Sequence, residues 1–161
     1  MIEVLLRDVF EDDDLAIFFE QQRDPEANYM AAFTAKDPSD KVVFDAHWAK
    51  ILGDESIIKK TVQYEGQVAG QIVFFEHMGQ PEVSYWIGRE YWGRGIATRA
   101  LSLFLKDIKT RPLYARAVKD HTASIRILEK NGFIIWGEDK GYAHARGEEV
   151  EEYILKLSFS E

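Results

Sequence analysis

The chain has no cysteine among its 161 residues, which by inventory alone excludes disulfide staples, thiolate metal sites and a cysteine nucleophile. Long apolar runs are missing too, and nothing approaches the roughly 18 apolar residues that a membrane-spanning helix needs. The first residues, Met1-Ile2-Glu3-Val4, carry no basic region ahead of an apolar stretch, so the expectation is an unprocessed, soluble chain in the cytoplasm. Positive charge is in short supply. Lys and Arg number 20 against 28 Asp and Glu, a formal net charge of -8, and without clustered cations a general nucleic-acid surface is not expected. The same imbalance would attract a cationic partner, although net charge speaks chiefly to solubility and encounter rates. His47, His77, His121 and His144 show no ligand spacing, so no metal site is expected. Repeats, low-complexity tracts and Pro/Gly/Ser linkers are absent, and 1–161 reads as one domain.

What the chain does have is a core: 46% of its residues are hydrophobic and 13% aromatic, enough for one ordinary domain without staples. Ile2 to Arg7 reads as a first strand. The acidic run Glu11 to Asp14 suits the positive end of a helix dipole and reads as a solvated helix start, followed by Leu15, Phe18, Phe19 and Gln22 on one helical face. A polar connection from Arg23 to Pro38 leads to a second helix, capped by Ser39 or Asp40, with Phe44, Trp48, Ile51 and Leu52 as its stripe and Gly53 at its end. Ile57 to Tyr64, Val68 to His77 and Glu82 to Ile87 then read as an antiparallel meander, with turns at Glu65-Gly66-Gln67 and Met78-Gly79-Gln80-Pro81. A helix bearing Ala97, Ala100, Leu101, Phe104 and Ile108 follows, and then a strand from Leu113 to Val118. Strand, helix, strand implies a parallel crossover. A short helix around Ser124 precedes a strand from Phe133 to Trp136, a glycine-rich excursion, and a closing arm from Val150 to Phe159 in which Tyr153, Leu155, Leu157 and Phe159 alternate. The sum is an α+β fold with a mixed, mostly antiparallel central sheet and helices on both faces.

Two segments carry the chemistry. In Val83 to Leu101 a strand enters a turn punctuated by Gly93 and Gly95 and leaves as an amphipathic helix. The first N–H groups of a helix have no internal partners and sit at the positive end of its dipole, so such a turn can cradle a phosphate; it can also be a plain strand-to-helix connection. The second segment, His121 to Phe133, reads as a short helix ended by Gly132.

Together these segments resemble the GNAT superfamily of N-acetyltransferases, which move an acetyl group from acetyl-CoA to an amine. The family's Gln/Arg-x-x-Gly-x-Gly/Ala motif falls on Trp92-Gly93-Arg94-Gly95-Ile96-Ala97, and its Asn-x-x-Ser motif, followed by Glu-Lys-x-Gly-Phe, falls on His121 to Phe133. Trp92 stands where Gln or Arg is usual, His121 where Asn is usual, and Leu128 where many members have a tyrosine proton donor. The form is most similar to the branch that includes the ribosomal-protein N-terminal acetyltransferases. The resemblance extends over nearly the whole chain and implies a GNAT-like fold with a splay between the two strands flanking the cofactor. It assigns the pyrophosphate to the backbone of Gly93, Arg94, Gly95, Ile96, Ala97 and Thr98, with the Arg94 side chain as added charge. It lays the pantetheine arm along Tyr85, Trp86 and Ile87, where a bulge would free strand amides for the cofactor and one N–H would serve the acyl oxyanion. His121 and Ser124 would face the sulfur and pantetheine.

Acetyl transfer from a thioester needs geometry more than specialised groups: an anchored pyrophosphate, donors where charge develops, and a route for protons. Ser124 is the candidate acid, since in the resembled branch a serine here is thought to protonate the leaving thiolate; in isolation the same hydroxyl reads as a cap or local backbone bond. A thiol of pKa about 8.5 leaves tolerably near neutrality, so a strong acid is unnecessary. His121 either bonds the cofactor or caps its helix together with Asp120. For the base, Glu82 leads, since Glu82, Ser84 and Trp86 alternate onto one strand face; otherwise it is an exposed charge at a strand end. Glu76, His77 and His47 rank below it. So thin a base inventory favours an α-amine acceptor, about a tenth neutral at pH 7, over lysine, which is neutral to roughly one part in a few thousand. The expected activity is acetyl-CoA-dependent N-acetylation of a primary amine, with a peptide or protein N-terminus as acceptor. The alternatives are a polyamine or aminoglycoside acceptor, and an acyl-CoA-binding module without turnover.

Overall fold

The computed structural model describes residues 3–159, so Ile2, the expected start of the first strand, lies outside the described residues. The elements run β1 (Val4–Arg7), α1 (Glu11–Gln22), α2 (Pro25–Ala31), α3 (Lys41–Gly53), β2 (Ile58–Tyr64), β3 (Gln67–His77), β4 (Gln80–Ile87), a short 3-10 turn (Arg89–Tyr91), α4 (Ile96–Asp107), β5 (Leu113–Val118), α5 (Thr122–Lys130), β6 (Ile134–Ala143) and β7 (Glu148–Leu157). The strands form one seven-stranded sheet in the order β1-β2-β3-β4-β5-β7-β6. All neighbours are antiparallel except β4 and β5. The mixed, mostly antiparallel α+β architecture read from the sequence is the one observed.

Both tight hairpins of the meander turn on left-handed pairs, Glu65 and Gly66, then Met78 and Gly79, the conformation whose twist matches that of the flanking strands. Alternation in β4 divides its side chains. Val83 and Ile87 join α4's Ile96, Ala100, Leu101 and Phe104 and α5's Ile125 and Leu128 in the larger core. On the opposite face Val68 and Val73 lie under Phe18 and Phe19 of α1 and Phe44, Trp48 and Ile51 of α3. Helices therefore cover both faces, and the two cores exclude water from the sheet's middle strands.

Three expectations need correction. The connection from Arg23 to Pro38 contains a helix, α2, whose Asp24 side chain caps the Glu26 N–H with Pro25 at the first helical position. The glycine-rich excursion after Trp136 is mostly strand: β6 continues to Ala143 and pairs with β7 as far as Glu148. Partnership along the whole of β7 outweighs the low strand propensity of Gly137 and Gly141. The acidic run is also not uniformly solvated. Glu11, Asp12 and Asp13 are exposed, but Asp14 is 1% exposed, accepting bonds from Arg7 at 2.7 and 3.0 Å, the Phe10 N–H at 2.8 Å and the Thr61 hydroxyl at 2.7 Å. Capping of the second helix falls to Asp40, which accepts from the Val43 N–H at 3.2 Å.

Candidate active site

The parallel pair β4 and β5 is where the sheet opens. Its two strands share one registered pair, Glu82 with Tyr114, so the β5-facing edge of Val83–Ile87 has no ladder partner and forms a gap in the pairing. The expected bulge in β4 is not there. Its register with β3 runs unbroken from Gly70↔Ile87 to His77↔Gln80, and the shifts lie instead between β2 and β3 and between β6 and β7. Divergence of the neighbouring strand is what leaves the edge of β4 free. In an antiparallel ladder successive N–H groups point to opposite sides, and the Gly88 N–H bonds the Ala69 carbonyl of β3 at 2.8 Å. Alternation then turns the Trp86 N–H toward β3 and the Tyr85 and Ile87 N–H groups toward the gap. Trp86 sends its indole N–H to the Gln21 carbonyl of α1 at 3.3 Å.

At the end of β4 the chain turns through Gly93 and Gly95, both left-handed with φ of 75° and 76°, a conformation that costs glycine little and most residues about a kilocalorie per mole or more. Gly95 is the N-cap of α4, and no side chain caps that helix. The first-turn N–H groups of Ile96, Ala97 and Thr98 therefore face outward at the positive end of a 12-residue helix, a fitting seat for a pyrophosphate. The exposed Arg94 side chain sits in the same turn. Trp92, in place of the usual Gln or Arg, donates its indole N–H to the Ile87 carbonyl at 2.8 Å, tying the cradle to the end of β4.

Across the gap stands α5. Ser124, in its first turn, is 9% exposed, and its hydroxyl lies 3.0 Å from the Tyr85 hydroxyl. Burial pushes the Tyr85 phenol up to about 12 despite that bond, so it keeps its proton at physiological pH. The sequence points only to the Tyr85 backbone; the role of its hydroxyl is not legible there because nothing in the local spacing connects residues 39 positions apart. Leu128 is 1% exposed in the larger core. His121 is the N-cap of α5 but makes no side-chain cap bond, and Asp120 is taken by Arg146 at 2.8 and 2.9 Å. The capping alternative for His121 and Asp120 thus fails. Burial lowers the His121 pKa, more than the neighbouring Asp120 raises it, leaving a neutral imidazole beside the gap.

The opposite face of the splay holds a polar cluster. Glu82 is not the exposed strand-end charge considered above: it is 4% exposed, with its carboxylate 2.9 Å from His77 Nδ1 and 3.5 Å from Arg116 Nε. Arg116 also pairs with Glu152 at 2.7 Å and Asp139 at 2.9 Å. Burial opposes its charge, and the surrounding carboxylates more than compensate, so its pKa is raised; burial likewise raises Glu152, against the pull of Arg116. Ser84 is exposed beside this cluster, Glu76 is exposed near the end of β3, and His47 is exposed on α3. Of the base candidates the fold joins Glu82 and His77 and leaves Glu76 and His47 apart from them. A cavity of about 780 Å³ opens between α1 and the end of β4, lined by Ile17, Glu20, Gln21, Asp24, Arg89 and Glu90 among others. Two buried acceptor atoms on its lining residues, Gln21 Oε1 and Asp24 Oδ2, have no hydrogen-bond partner among the described residues.

Comparison with known proteins bears on both the fold and the family. A family model for the acetyltransferase (GNAT) domain matches residues 3–134. An uncharacterized N-acetyltransferase, p20, of Bacillus licheniformis is 26% identical over 105 residues, 63% of this chain and 58% of that protein. The match thus spans somewhat over half of that relative's length. Among solved structures the fold is shared with the spermidine N-acetyltransferase of Vibrio cholerae, solved with CoA and spermine, at a TM-score of 0.80 and 15% identity over 96% of this chain and 94% of that one. The ribosomal-protein-S5-alanine acetyltransferase of Vibrio fischeri superposes with a TM-score of 0.71 and 18% identity over 98% and 92% of the two chains. With the family model covering most of its length, the chain belongs to the GNAT family of acetyltransferases.

Proposed function

We propose that this protein is an acetyl-CoA-dependent N-acetyltransferase, one domain over 1–161, working in the cytoplasm on a primary amine. The observation that carries this reading is the open edge of β4 running into the uncapped N-terminus of α4, which supplies free backbone donors for a pantetheine arm and a pyrophosphate in sequence along one path. In this reading Gly93 to Thr98 hold the pyrophosphate, the Tyr85 or Ile87 N–H stabilises the oxyanion, and Ser124 donates to the departing sulfur. The amine attacks the acyl carbon directly; the C–N bond forms as the C–S bond breaks, nitrogen loses a proton and sulfur gains one. The amine's proton leaves to water; Glu82, fixed between His77 and Arg116, is the candidate relay, with His77, the exposed member of the pair, leading to solvent.

An α-amine of a peptide or protein is the acceptor favoured by the pairing of Glu82, Glu152 and Asp139 with Arg116 or His77, which leaves no carboxylate of that cluster free to act as a strong base. A specific observation favours the second acceptor class, a small polyamine or aminoglycoside: the cavity beside β4 combines Glu20, Asp24 and Glu90 with two unpartnered acceptor atoms, which suits more than one ammonium group. Release of free CoA thiol from acetyl-CoA, measured with N-terminal peptides, polyamines, aminoglycosides and free amino acids, tests the reading. Amine-dependent release is expected. Tight acetyl-CoA binding without release for any amine would leave the rival, a binding module without turnover.

A further inference from the structure

We propose that the Tyr85 hydroxyl positions Ser124, donating to its oxygen and so turning the Ser124 hydrogen toward the acyl-CoA sulfur. The inference rests on the reading that places that sulfur at Ser124. A serine hydroxyl is a free rotor that readily turns back to a carbonyl of its own helix, so a serine in the first turn of α5 is a poor donor to a ligand unless something occupies its oxygen. Among the described residues, the Tyr85 hydroxyl is the one side-chain group that does, at 3.0 Å. Its reach follows from the strand's alternation: Tyr85 lies on the same face as the buried Val83 and Ile87, toward α4 and α5. Between a phenol and an alkyl hydroxyl the phenol is the stronger acid, and hence the better donor and poorer acceptor, which sets the direction of the bond. The bond also supplies from β4 a tyrosine hydroxyl that α5, with Leu128 in the core, does not offer.

Tyr85 does not give up its proton. Transfer through Ser124 to the thiolate would leave a phenolate whose acid, at about 12, is weaker by more than three units than a thiol of about 8.5. The electron pair of the broken C–S bond stays on sulfur, which accepts a hydrogen bond from Ser124 and takes its proton through water; nitrogen's proton leaves to water, and the sum is balanced. Asp120 and Arg146 pair with each other behind His121, and burial holds His121 neutral through the alkaline range.

Tyr85→Phe, which keeps the ring, Ser124→Ala and the double variant test the proposal through two readouts. In the first, calorimetric affinities for CoA and acetyl-CoA are compared from pH 7 to 9.5. A donor aimed at sulfur favours bound thiolate, so the parent should gain roughly five- to tenfold in affinity for CoA relative to acetyl-CoA as pH rises through the thiol's range, and both single variants should lose most of that gain. Any change at His121 falls on both ligands and cancels in the ratio. In the second, Tyr85→Phe should lower kcat about five- to fiftyfold with acetyl-CoA affinity within twofold of the parent, and should have no further effect once Ser124 is alanine. A Tyr85→Phe protein that keeps the thiolate preference, or a Tyr85→Phe loss that persists in the Ser124→Ala background, overturns the proposal. A parent that shows the preference but releases no CoA with any amine overturns the catalytic reading and leaves the positioning role supported. A parent that binds no acetyl-CoA overturns both.

Discussion

Asp14 shows how far a single side chain can depart from the sequence around it. Three of the four acids that open α1 lie in water, while Asp14 is sealed against Arg7, Thr61 and the Phe10 amide. Burial alone would raise its pKa; the bonds from Arg7, the backbone of Phe10 and Thr61 outweigh burial and hold it below the ordinary carboxylate value. A carboxyl depressed on folding stabilises the protein above its unfolded pKa of about 3.9, and that stability is lost as pH falls through the folded value. Asp14→Ala should cost about 3 kcal/mol, the low end for a broken buried pair because Arg7 can still reach water. Denaturant melts at pH 7 and pH 3 should show the deficit shrinking at the lower pH; an equal deficit at both would place the loss in packing instead. Ser124 belongs to the same scale. Its replacement by alanine should lower kcat by roughly 10- to a few hundredfold while moving acetyl-CoA affinity much less, read by steady-state kinetics and calorimetry side by side. Unchanged kcat would leave water as the donor to sulfur.

Among the elements, α4 matters most because its uncapped N-terminus follows the two-glycine turn that leaves β4. Four orphan N–H groups at the end of a helix are a cost unless water or a ligand meets them, and the left-handed Gly95 brings the backbone itself to the surface. Gly95→Val should weaken acetyl-CoA binding at least tenfold, about 1.4 kcal/mol, by placing a branched side chain in the cradle and straining a φ of 76°. Far-ultraviolet circular dichroism must show the variant folded; equal affinity in a folded variant would remove the cradle assignment. The strands carry the complementary lesson. β4 keeps an unbroken register with β3, and its backbone is freed by the departure of β5, so substitutions in β5 near Tyr114 bear on cofactor access although they touch no motif.

For the molecule as a whole, the question is where protons go. The carboxylates of the splay's polar face are tied to Arg116 or His77, and the neutral His121 beside the gap is a base weakened by burial. Turnover should therefore follow the neutral fraction of the acceptor. With an α-amine, kcat/KM should rise with pH and level off near about 7.7 to 8.0, whereas with lysine or a polyamine it should keep rising well beyond. Glu82→Gln should alter the profile only if Glu82 and His77 relay the proton. An inflection near pH 6 that stays put for acceptors of different pKa would reveal an enzyme base.

Short-range signals were enough for the two-glycine turn, the meander and the amphipathic helices, because turn chemistry, capping and side-chain period act within a few residues. Gly93 and Gly95 announced a left-handed turn before a helix, and Phe44, Trp48 and Ile51 announced a buried stripe. Even α2, overlooked in its polar surroundings, carried a readable Asp-Pro-Glu start. The splay, the burial of Asp14 and Glu82, the partners of Arg116 and the Tyr85–Ser124 bond were not legible in this way. They depend on which strands lie side by side and on groups far apart in sequence, such as Arg116 with Glu82, 34 positions away, and Thr61 with Asp14, 47 away. Period and propensity say which face a side chain occupies, but they carry no information about what stands opposite. Folding supplies that, by laying β4 beside β5 and bringing the Tyr85 hydroxyl of β4 to Ser124 of α5.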